Sequence, residues 1–176
     1  ILEDYEKAVH ALGASTIRYV HSGTGVTTIT CKGEYRGDNP ITNLVKDTDI
    51  AKLAHEKRIP LEVFEYNSQT LALFFGRLGA TDGSIEKTRI SFSSSSLGLI
   101  DDISHLLLRF GINSIRRHGK TTHRDKFEVV ITDQTDVRRF SDAFSGYLIG
   151  VKRQRLKMLL QISEARARNQ SIYDVP

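Results

Sequence analysis

Cysteine is nearly missing from this chain, and much of what the composition excludes follows from shortages of this kind. The single Cys31 leaves no partner for an intramolecular disulfide and no thiolate cluster for zinc. That suits a reducing compartment, so a cytoplasmic location is expected. No apolar run approaches the roughly 20 residues that span a bilayer, and no signal peptide opens the chain, so no membrane is expected as a partner. A Ser-His-Asp hydrolase lacks its Gly-x-Ser-x-Gly turn. His118 and His123 stand close in sequence without a Cys or a nearby acidic pair, short of a closed tetrahedral metal site. Nor is charge of one sign in large excess: 25 Lys+Arg against 21 Asp+Glu permit a nucleic-acid partner without demanding one. Ile1 and Pro176 bring neither a Met start, a cap nor a polar tail, and both read as cut edges.

What the chain does have is a run of small residues in residues 71–84, LALFFGRLGATDGS. As a helix it places Gly76, Gly79, Ala80 and Gly83 at i, i+3, i+4 and i+7, a ridge of almost bare backbone. Glycine inside a helix costs about 1 kcal/mol relative to alanine, so the ridge predicts a second helix at very short distance. Asp82 falls at the carboxyl end, where the macrodipole disfavours an anion. A divalent cation on that carboxylate and on free helix-end carbonyls would resolve the conflict. A plain turn with Gly83 as a left-handed cap is the other reading.

The 176 residues suffice for one full core or two small subdomains. Residues 3–12 read as a helix stopped by Gly13, residues 16–32 as a hairpin turning near Ser22 to Gly25, and residues 36–39 as a loop. Asn39 caps a helix with Pro40 at its first position, and Asn67 or Ser68 caps the glycine-ridged helix, expected over 68–83. Residues 88–95 alternate, with Ile90 and Phe92 on one side and Arg89, Ser91 and Ser93 on the other. Ser96 caps a helix closed by Gly111. Strands are expected at 112–116 and 126–132, helices at 136–144 and 151–166, the last with Leu156, Leu159 and Leu160 inward and Lys152, Arg153, Arg155 and Lys157 outward. The segments EDYEKAVHALGASTIRYV and DDISHLLLRFGINSIRRH repeat one another at an offset of 98 residues. The duplication predicts two halves, 1–66 and 67–176, with the twin of the 68–83 helix upstream of Ile1.

Residues 73–85 (LFFGRLGATDGSI), the step 55–60 (HEKRIP), the helix of the second copy within 93–113 and the closing step 171–176 together resemble the LAGLIDADG homing endonucleases. The likeness is to the endonuclease domain carried inside inteins, those of bacterial replicative DNA helicases in particular. It implies an α+β fold of two pseudo-symmetric αββα repeats with saddle-shaped antiparallel sheets astride double-stranded DNA. It implies a monomer with an internal pseudo-twofold, joined in cis to an intein splicing domain and a host helicase. Carried over, Asp82 is a catalytic carboxylate holding Mg²⁺, Gly83 offers a carbonyl to the metal, Lys57 stabilises charge near the attacking water, and Gly76, Gly79 and Ala80 pack the signature helix. Three features depart from the pattern: Gly79 replaces a bulky residue, the closing step reads Asp-Val-Pro without a lysine, and Ile1 and Pro176 are not splicing residues.

Residues 109–126 hold six Lys/Arg against one acid. A ribbon of this kind fits a major groove: Arg116 and Arg117 suit guanine edges, His118, Lys120, Thr122 and Arg124 suit mixed and phosphate contacts, and Arg89, Ser91 and Ser93 extend the surface. Two functions follow, a site-specific Mg²⁺-dependent DNA endonuclease or a catalytically inactive DNA-binding insert of the same fold.

Overall fold

A computed structural model of the chain describes residues 2–32, 39–48, 50–122 and 124–171, with side chains through Ala165. Most of the expected loop at 36–39, His123, and residues 172–176 of the closing step lie outside the described residues. The chain divides into two units, Ile1–Ala51 and Lys52–Pro176. Among the described residues no helix is long and apolar enough to cross a membrane.

In the first unit, helix α1 (Leu2–Ala11) is followed by an antiparallel hairpin of β1 (Thr16–Val20) and β2 (Thr27–Cys31), with Thr16 opposite Cys31 and Val20 opposite Thr27. Arg18 grips the carboxylate of Glu6 with two nitrogens, tying the strand to the helix. Helix α2 (Pro40–Asp47) opens as its sequence dictates, Asn39 accepting from the Thr42 N–H with proline at the first position.

The second unit contains α3 (Leu61–Glu65), α4 (Ser68–Thr81), β3 (Gly83–Ile85), β4 (Ile90–Ser94), α5 (Leu97–Leu108), β5 (Ile115–Lys120), β6 (Asp125–Ile131), α6 (Gln134–Phe144) and α7 (Val151–Ser171). Its strands form one antiparallel sheet in the order β3-β4-β6-β5, so the architecture is mixed α+β. Side-chain caps start three of its helices: Asn67 for α4, Ser96 for α5 and Asp133 for α6, each worth about 1 kcal/mol. The core lies between the sheet and the helices. Phe75, Phe92, Phe140 and Phe144 meet there at centroid distances of 4.7–6.5 Å, and burying each contributes about 1.5–3 kcal/mol.

The order helix, left-handed glycine, hairpin, capped helix occurs in both units. Gly13 (φ +76°) and Gly111 (φ +67°), 98 residues apart, stop α1 and α5 in the same way. The boundary expected at 66/67 falls inside the second unit. Ile59 and Val63 belong to its core, and Arg58 clamps the buried carboxylate of Asp102 at 2.6 and 2.7 Å. The expected strand 112–116 begins three residues later, because Ile112 is fully buried beneath α5 with its N–H on the Leu107 carbonyl.

Candidate functional site

Helix α4 stops at Thr81, not at residue 83. A Cβ on Gly83 would stand 2.7 Å from the Gly79 oxygen and 2.9 Å from its Cα, so the chain doubles back along its own last turn into β3, a path open only to glycine. Gly83 is not a left-handed cap, since it is not among the positive-φ glycines. Asp82 is left exposed at the helix end, its N–H on the Leu78 carbonyl and its Oδ2 accepting from the Thr81 hydroxyl at 3.0 Å. Gly83, expected to offer a carbonyl to a metal, is buried at the first ladder position opposite Phe92.

The glycine ridge is covered, though not by a helix. A Cβ at Gly76 would overlap Tyr147 Cβ and lie 2.9 Å from the Tyr147 carbonyl carbon, while one at Gly79 would meet Leu148 Cδ2 at 3.2 Å. The segment joining α6 to α7 is pressed into the ridge, and Arg77 Nη1 donates to the Tyr147 carbonyl. The expectation of a second helix on this face is thereby corrected. Backbone approach required the glycines, and a turn supplies it as well as a helix would.

From Leu148 the chain turns at Gly150 (φ +67°) into α7, and Lys152 in its first turn donates to the Thr81 carbonyl at 2.9 Å. Partial burial lowers the pKa of Lys152; the charge of Asp82 opposes that shift and Arg155 adds to it. An anion at a helix carboxyl end and a cation in a helix first turn are both misplaced with respect to the macrodipole. Brought together, each offsets the other. Lys152, assigned to the wet face of α7 on its periodicity, is thus the lysine beside Asp82. Lys57 lies on the segment before α3, exposed, with its carbonyl accepting from Ser96 Oγ at 2.6 Å. Among the described residues no group of three or more His, Cys, Asp and Glu is placed to enclose a metal.

The expected DNA contacts are divided between two faces of the sheet. Directly opposed residues share a face, and Phe92, Val129 and Arg116 form one row while Ser93, Glu128 and Arg117 form the next. Arg116, His118 and Lys120 therefore lie on the helix-bearing side. Arg116 bonds Asp101 of α5 at 2.6 Å; His118 stacks on Phe127 and contacts Asp125 at 3.0 Å. The opposite face gathers Ser91, Ser93 and Arg117, with Ser91 buried and Ser93 and Arg117 exposed. Arg89, paired with Glu86 through two nitrogens, feels the charge of Glu128 on that face and holds the Glu86 carboxyl below its ordinary value. Thr122 and Arg124 are exposed in the β5–β6 turn. Glu128 and Lys126, absent from the expected contacts, join this face by register alone.

Residues 69–144, running from α4 through α6, match the model of a LAGLIDADG-like domain. The chain is 36% identical over 116 residues to the replicative DNA helicase DnaB of Synechocystis sp., a match covering 59% of this chain and 13% of that protein. It is 31% identical over 112 residues to DnaB of Rhodothermus marinus, covering 58% and 12%. With the replication factor C small subunit of Methanocaldococcus jannaschii it shares 34% over 114 residues, covering 63% and 6%. The chain thus spans about an eighth or less of the length of these curated relatives.

Proposed function

We propose, from residues 69–144 being a LAGLIDADG-like domain, that this chain is the DNA-cutting part of an intein set in a replicative helicase. A helicase and a replication-factor subunit have different tasks, yet each carries a stretch of this chain's kind within a much longer sequence. That pattern supports an inserted element, in cis to a splicing domain and a host, with an activity of its own.

The observation that carries the reading is the exposed carboxylate of Asp82 at the end of α4, with Lys152 donating to the carbonyl of the adjacent Thr81 at 2.9 Å. A Mg²⁺ ion takes one or two protein carboxylates and completes its shell with water and substrate phosphate, so one open Asp suits it where an enclosed cage is lacking. Bound there by Asp82, the ion would polarise a phosphoryl oxygen and lower the pKa of a bound water. Lys152 offers a donor for the phosphate, Lys57 keeps the expected role of stabilising charge near the attacking water, and the Arg117 face lies along the duplex. The reading includes a monomer with an internal pseudo-twofold, which the repeated sequence supports, in a cytoplasmic host, which the helicase relatives support.

The test is Mg²⁺-dependent nicking of a supercoiled plasmid bearing the uninterrupted host-gene site. Wild type is expected to nick one strand, and Asp82→Asn to bind equally and nick nothing. Tight binding of the site by a wild-type chain that never nicks it would replace this proposal with the inactive insert.

A further inference from the structure

On the face of the sheet away from the helices, Ser93, Glu128 and Arg117 stand side by side on three adjacent strands, β4, β6 and β5. Glu128 is a carboxylate two residues beyond the basic stretch 109–126, with its side chain only 14% exposed. Both of its partners reach the same oxygen: Ser93 Oγ donates to Oε1 at 3.2 Å, and Lys126 Nζ lies 3.9 Å from Oε1. Among the described residues nothing bonds Oε2, and Arg117 has no ion pair although it faces Glu128 across the ladder. Among the described residues the acid is thus held through one oxygen and has no bonded partner on the other, beside an unengaged guanidinium.

Resting on the DNA-binding reading above, we infer that Glu128 and Arg117 together read one C·G base pair in the major groove. A carboxylate accepts from cytosine N4 and rejects the acceptor-bearing edges of guanine and thymine, while a guanidinium is matched to guanine O6 and N7. Opposed side chains on neighbouring strands are rooted about 5 Å apart, a spacing that lets two of them address the two bases of one pair. Ser93 and Lys126 are positioning residues, holding the carboxylate in one rotamer. Repulsion from phosphate is the cost of an acid on this surface, and it falls equally on every sequence, so it purchases selectivity and no affinity.

The experiment is binding selection by the full chain from a pool of randomised DNA duplexes, followed by competition binding of the selected duplex against versions changed at each position. Wild type is expected to prefer C·G at one position by about tenfold or more over the other pairs. Glu128→Gln, which keeps the shape and gains an amide donor, is expected to move that preference toward A·T. Glu128→Ala is expected to abolish it while preferences elsewhere persist. Should Glu128→Ala instead tighten binding to all duplexes and leave every preference in place, the carboxylate only repels and the inference is overturned. A wild-type chain that retains no duplex from the pool would overturn the DNA-binding reading itself, a result distinct from either.

Discussion

Two charged residues, Asp82 and Lys152, are each set at the wrong end of a helix; Asp82 is legible as an anomaly in the sequence, whereas Lys152 reads there as part of a wet helix face. Their meeting is not legible, because it depends on a turn of six residues between α6 and α7 that has no periodicity. Since burial lowers the Lys152 pKa by more than Asp82 raises it, Lys152 is expected to lose its proton below the ordinary lysine range. Replacing Asp82 by Asn should lower its midpoint further, measured by NMR titration of the lysine Nζ resonances; an unmoved midpoint would show the two charges to be uncoupled. The unfolded chain binds the extra proton across that window, so stability rises with pH from the lowered value toward the ordinary lysine range.

Among the elements, α4 depends on the bareness of one side. Gly76→Ala drives a methyl into Tyr147 and is expected to destabilise the protein by about 1–3 kcal/mol in urea unfolding, despite alanine's better helix propensity. The ridge itself is visible in the sequence as four small residues at helical spacing; what fills it is not, since contact between distant segments leaves no local periodic signal. The strands show a similar limit. Alternation in β4 correctly separates Ile90 and Phe92 from Ser91 and Ser93, because only the first pair brings apolar side chains to the core. In β5 all six residues are exposed, so no buried side marks the phase, and a shift of one position exchanges the faces. Arg116 and Arg117 cannot be told apart from the sequence for that reason. Arg117 and Arg124 have no carboxylate partner among the described residues. Changing both to Ala should reduce the slope of log affinity against log salt by roughly 1 to 2, in a titration of DNA binding over ionic strength. Arg116→Ala, by contrast, removes a cation already offset by Asp101 and should alter the slope less.

Across the whole molecule the two units differ in what holds them. Nearly every buried apolar residue belongs to Lys52–Pro176, and Val9 is the one such residue described in Ile1–Ala51. Hydrogen exchange is therefore expected to be slowest at core amides such as Phe75, Val129 and Ile131, and faster by orders of magnitude in β1 and β2, read by mass spectrometry of the native chain. Uniform protection of both units would contradict this. One step of the repeated pattern is legible in the sequence, since Gly13 and Gly111 stop α1 and α5 in the same way 98 residues apart. The assignment of residues 52–66 was hidden, because Arg58 and Ile59 reach Asp102 more than forty residues away.

The segment that matches the LAGLIDADG-like model finishes at Phe144, three residues short of Tyr147. Anyone trimming the protein to that limit would keep the sheet, the aromatic centre and the acid, while stripping the plug from the α4 groove and the ammonium from its tip. Such a minimal version should expose a hydrophobic furrow and aggregate, and its carboxylate would stand without a neighbour of opposite sign.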